Sequence, residues 1–103
     1  MPELQHQNDI LRTRLNCETA RIAWKDLLRF FAAGTVIAVS EELDLVEVAI
    51  HISNDNKVQI EQWMIEKRVD HVSDAQAKSW LEADASLWAL VVRPWVLVQQ
   101  VSE

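Results

Sequence analysis

Three side chains have the types and spacing to do chemistry on one surface. Asp44, Glu47 and His51 stand at i, i+3 and i+7, which puts two carboxylates and an imidazole on one side of a helix if residues 43–52 are helical. Such a set could ligate a metal or move a proton. It lacks a fourth ligand at recognisable spacing, and His6 and His71 stand alone. A solvated face on an otherwise buried helix is therefore the favoured reading. Trp88 and Trp95 would complete a pocket with the acidic set, stacking a flat ligand. Large aromatics, however, dominate small cores, and Trp24, Trp63 and Trp80 fall on the apolar faces of predicted helices. Cys17, the one cysteine, has no nearby histidine and no active-site signature, so it reads as an inert thiol. Nothing resembles a phosphate loop, a hydrolase elbow or a zinc site. No catalytic residue, metal ligand or cofactor is assigned.

Charge gives one more candidate surface. Arg21, Lys25 and Arg29 recur at i, i+4 and i+8, a basic row on the helix expected there and a candidate contact for an acidic partner. Ten basic against sixteen acidic residues leave a net charge of −6, which disfavours wholesale nucleic-acid binding. Residues 1–35 carry five basic and four acidic residues, the remainder five and twelve. A span of about 18 apolar residues is missing, as is a signal-peptide layout, so a cytoplasmic protein without membrane contact is expected.

The elements that must position these groups follow from periodicity. Residues 1–8 read as a frayed polar tail and 9–103 as a single domain. Leu11 and Leu15 give a short helix from Asp9 to about Cys17. Thr19 is placed to cap a second helix, whose face is Trp24, Leu27, Leu28 and Phe31 and whose end is Gly34. Thr35–Val39 is β-branched and reads as a strand. Ser40-Glu41-Glu42 looks like a helix start, and residues 43–52, although they also alternate like a strand, are assigned to that helix. Asn54–Asn56 is a turn, with Asn56 and Gln59 as a capping pair. The next helix buries Ile60, Trp63 and Met64 and ends near Lys67-Arg68. Val69–Val72 is a strand. Ser73 and Gln76 have capping-box spacing, and the helix they start buries Ala77, Trp80 and Leu81.

The apolar run Leu87–Val101 is too long for one strand in a domain this size, so it folds back or bends at Arg93-Pro94. The strands are Leu87–Val92 and Trp95–Gln100. Proline at the second central position suits a hairpin turn only with a cis bond; a bent edge strand is the alternative. The fold class expected is α+β, a compact two-layer domain with a four-stranded, partly mixed sheet and about five helices. Helical crossovers between the first three strands suggest parallel pairings.

Three stretches carry a resemblance: Leu15-Asn16-x-Glu18-Thr19-Ala20-x-Ile22-x-Trp24 on to Gly34, Leu43–Ala49, and Asp84-Ala85-x-Leu87-Trp88 through Pro94-Trp95 to Gln99. Together they resemble a family of small stand-alone bacterial proteins catalogued as a domain of unknown function. The resemblance spans about Leu11 to Gln100 and implies a free-standing cytoplasmic domain, with no activity or site to carry over. The function expected is a non-enzymatic binding or regulatory module acting through protein contacts, with an unidentified protein partner or a second copy as a homodimer. The alternative is a small enzyme or ligand-binding domain using the tryptophan pocket. A second copy would cover part of the apolar run or the edge beside Trp95–Gln100; in the competing account, residues 43–52 seal that face in a monomer.

Overall fold

The apolar run folds back at Arg93-Pro94, whose peptide bond is cis. The computed structural model describes residues 2–101, with side chains from Asp9 onward. The run forms strands β4 (Ser86–Val92) and β5 (Trp95–Gln100), paired antiparallel from Val92 opposite Trp95 to Leu87 opposite Gln100. They sit inside a five-stranded sheet of order β1-β4-β5-β2-β3, where β1 is Ala20–Ala23, β2 Val36–Val39 and β3 Val69–His71. Strand β2 runs parallel to β5 and antiparallel to β3, and β1 runs antiparallel to β4. The sheet is mixed, as expected, but its one parallel pair joins β2 to β5. The strands at 36–39 and 69–71 are antiparallel, because the two helices between them return the chain along the opposite direction.

The fifth strand, β1, lies where the second helix was expected. Helix α1 (Pro2–Glu18) starts seven residues before Asp9 and is closed by Thr19, whose hydroxyl donates to the Leu15 carbonyl at 2.9 Å. Thr19 therefore ends one helix instead of opening the next. Four residues of β1 follow, then a 3-10 turn (Trp24–Leu27) and the short helix α2 (Leu28–Ala32). The expected apolar face survives on these shorter pieces, with Trp24 and Leu27 buried and Leu28 and Phe31 packed beside them.

Helices cover both faces of the sheet, so the domain has three layers and not two. Helices α1, α3 (Leu45–Ser53) and α4 (Lys57–Ile65) lie on the face of Ile37, Leu90, Val92 and Leu97. Helix α5 (Asp74–Glu82) and the 24–32 segment cover Val36, Leu87, Ala89, Val96 and Val98. Helix α3 buries Leu45, Val46, Val48, Ala49 and Ile50, which is the sealing expected of a central helix. Its cap is Asp44, whose carboxylate accepts from the Val46 amide at 3.0 Å, so the acidic Ser40–Glu42 segment is a turn ahead of the helix. The Ser73 capping box is present in both directions. Two expected core residues, Met64 and Leu81, are exposed instead, as α4 and α5 turn those positions outward.

Four helices end on a left-handed residue: α2 at Gly34, α3 at Asp55, α4 at Lys67 and α5 at Asp84, with φ of 76°, 54°, 60° and 50°. After α4, the Lys67 amide donates to the Met64 carbonyl and the Arg68 amide to that of Trp63, closing orphan carbonyls. The same pattern recurs after α2, α3 and α5.

Candidate functional site

The carboxyl ends of the parallel pair β2 and β5 open onto a cleft of about 520 Å³. In open α/β sheets this end of a parallel pair is where ligands are commonly received. One wall is the 40–42 turn, with Ser40, Glu41 and Glu42. A second is the α4–β3 connection, with Lys67, Arg68, Asp70 and His71. The third is the amino end of α5, with Ser73, Gln76 and Trp80. Each wall is held by local chemistry. Gln99, from the end of β5, donates its side-chain amide to the carbonyls of Ser40 (2.8 Å) and Leu43 (2.6 Å), fastening the turn to the sheet. Arg68 reaches Glu42 at 3.7 Å and Glu66 at 3.5 Å, tying the second wall to the first. Gln100, with its amide nitrogen toward Glu41, donates to that carboxylate and accepts from the Trp80 indole, both at 3.1 Å. Among the described residues Lys67 makes no ion pair.

Gln99→Ala is expected to free the 40–44 turn. Two carbonyls lose their donor, at about 1–3 kcal/mol for each group that stays buried and less for each that water reaches. Hydrogen exchange should show the change at residues 40–46, with the β4–β5 hairpin unaltered.

The acidic set from the sequence sits elsewhere, at the seam between α1 and α3, with Arg12 among its members. Arg12 of α1 bonds to the Glu47 carboxylate and lies 3.8 Å from Asp44. His51 Nε2 is 3.4 Å from the second Glu47 oxygen, and its Nδ1 lies 2.9 Å from the Asn56 amide nitrogen. Asn56 Oδ1 accepts from the Gln59 amide, which fixes the side chain so that its nitrogen faces His51. When the ring carries a single proton, that proton sits on Nε2 toward Glu47 and Nδ1 accepts from Asn56, a tautomer assigned from its partners. Its ring also meets Trp63 edge-on, with centroids 5.2 Å apart. Arg12 pairs with both carboxylates and so clamps two helices; Asp44 is in addition the cap of α3. Among the described residues no three His, Cys, Asp or Glu side chains are grouped to hold a metal ion.

Trp88 and Trp95 do not join that set. Arg21 lies over the Trp88 ring at 5.7 Å, while Trp95 meets His71 edge-on and lines a smaller hollow of about 230 Å³ with Ile37, Ile60 and Val69. Nor do Arg21, Lys25 and Arg29 form a helical row: they stand on β1, the 3-10 turn and α2, with Arg29 over the Phe30 ring at 4.7 Å. Cys17 is exposed. The cleft escaped sequence reasoning because four separate segments supply its lining; the capping residues Ser73 and Gln76, the 40–42 segment and Lys67-Arg68 read only as helix ends.

The bond from Arg12 holds the Glu47 carboxyl below its ordinary value of 4.5; partial burial opposes this, and the charges of Arg12 and His51 assist it. A carboxyl lowered on folding contributes stability above its ordinary value, and that contribution is lost as pH falls through the folded value. Glu47→Gln is therefore expected to cost about 0.2–1 kcal/mol at neutral pH, since the pair is solvent-exposed and screened. The difference from the parent should shrink in urea melts as pH falls below the ordinary carboxyl value of 4.5, and also in high salt.

The decisive observation is a match over residues 10–100 to the family described as Protein of unknown function (DUF2288). The chain belongs to that family. It is also similar to a solved structure, the NMR solution structure of PA1075 from Pseudomonas aeruginosa. The two are 40% identical, the match covers 91% of this chain and 87% of the other, and the TM-score is 0.80. No curated protein matches the chain. Family membership assigns no function, and among the described residues no helix is long and apolar enough to cross a membrane.

Proposed function

We propose that this DUF2288 chain is a binding module acting by protein contact, and that the cleft at the ends of β2 and β5 receives a polar segment of its partner. The observation that carries this reading is the lining itself. Glu41, Glu42 and Asp70 share a lining of about 520 Å³ with Lys67, Arg68 and His71, among the amides of Gln76 and Gln100. A mixed lining of this kind suits a polypeptide bearing both charges and hydrogen-bonding groups, and it repels a polyanion in part. Lys67 holds φ at 60° on the cleft wall, a conformation that costs a residue with a Cβ about 1–2 kcal/mol. The same left-handed ending closes α3 at Asp55 and α5 at Asp84, outside the cleft lining, so this strain belongs to the helix end.

Lys67→Gly separates the two roles. Relief of the left-handed strain should raise the urea midpoint, while loss of the ammonium should deplete a captured partner at low salt. Lys78→Ala, on the exposed face of α5 and outside the cleft lining, should leave that partner in place. Retention of the same partners by Lys67→Gly and by Asp70→Lys would refute the reading.

A further inference from the structure

The sheet has two outer strands, and they are finished differently. The Ser40 amide donates to the Arg68 carbonyl, and the register pairs Ala38 with Asp70, so the backbone groups of Val69 and His71 point away from β2. On that edge the His71 amide is covered by the Asp70 carboxylate at 2.8 Å, and the strand is only three residues long. Short length and an inward-turned charge are ordinary ways of closing an edge. At the other edge the Trp24 amide donates to the Ala85 carbonyl at 2.8 Å, and Ile22 stands opposite Leu87. By the same alternation Ile22 and Ala20 bond to β4, while the amides and carbonyls of Arg21 and Ala23 point outward. Among the described residues no hydrogen bond reaches them. The one charge on this strand, Arg21, is laid over Trp88 at 5.7 Å and not across the edge.

We infer that β1 is the contact of a homodimer, in which β1 of a second copy adds antiparallel about a twofold axis at Ile22 and joins the two sheets. The outward groups are symmetric about Ile22, which makes the edge complementary to itself. In that register Arg21 of each copy exchanges both backbone hydrogen bonds with Ala23 of the other, so all outward groups of both strands are satisfied. Each arginine faces an alanine, and like charges are not opposed. The two Ile22 side chains meet at the axis as a non-hydrogen-bonded pair, where side chains approach most closely. Ile22 already packs against the Trp24 cluster while remaining partly exposed, so this contact would continue that core across the axis. Strand β5, the edge that the sequence suggested, is paired on both sides and unavailable.

Sedimentation across about two decades of concentration tests this, because a dimer forms by mass action. The parent should pass from 11.9 kDa toward twice that mass. Ala23 holds φ at −65° and ψ at 136°, angles a proline adopts, and its amide is not used within the monomer. Ala23→Pro should keep the parent's fold and weaken association roughly 30-fold or more, as two interchain hydrogen bonds are lost. Amide exchange on the parent gives a second reading independent of any variant. The amides of Arg21 and Ala23 should become protected as concentration rises, while that of Ile22 is protected throughout. A parent that stays monomeric overturns the inference, as does a dimer that survives Ala23→Pro or leaves the Arg21 and Ala23 amides unprotected.

Discussion

Trp24→Ala is expected to lower the stability of the domain by about 3–5 kcal/mol, a large share of the total for a chain of this size. Trp24 has no exposed surface. Its ring meets Trp80 at 5.1 Å and Phe31 at 5.6 Å, both edge-on, and so joins the 24–32 segment to α5 above the sheet. Truncation empties the middle of one of the two cores, and the short 3-10 turn that carries the residue has little else to anchor it. Trp24→Phe should cost far less. It keeps the ring contacts in part, and it removes the indole N–H, which is buried without a hydrogen-bond partner in the protein. A donor left so costs about 1–3 kcal/mol, which offsets lost packing. Urea denaturation with an unchanged slope would measure both variants. Equal losses for alanine and phenylalanine would mean that the orphan donor is in fact satisfied by water.

The second large effect is within the apolar run. Leu97→Ala should cost about 2–5 kcal/mol, whereas Val91→Ala, six residues earlier in the same run, should fall within about 0.5 kcal/mol of the parent. Leu97 is fully buried on β5, between Leu90 of β4 and Ile37 of β2 and beneath α1, α3 and α4. Val91 is 52% exposed near the hairpin end of β4, where the helical cover stops. Thermal or urea melts of the two variants side by side decide the matter, and equal losses would place a cover over Val91 that a single chain does not provide.

Several elements of this protein were legible in the residues themselves. The β4–β5 hairpin follows from the length of the apolar run and its single Arg-Pro break. Helix α5 follows from the Ser73–Gln76 box, whereas α3 is assigned from the acidic 40–42 segment, its own period fitting a strand equally well. These signals are local, since a period, a cap or a break acts within a few residues. The left-handed ends at Asp55, Lys67 and Asp84 were hidden because glycine is the usual marker and the chain has only one. Strand β1 was hidden because four residues are too few to show a period, and its hydrogen bonds come from Leu87 and Ala89, more than sixty positions away. The tertiary structure alone decided the strand order, and with it which edge is free and which strand ends form the cleft. It also decided that Asp44, Glu47 and His51 would meet Arg12 and serve as a clamp. Neither could be read locally, because a carboxylate's role depends on the charge that arrives beside it, here from a helix thirty-five residues away.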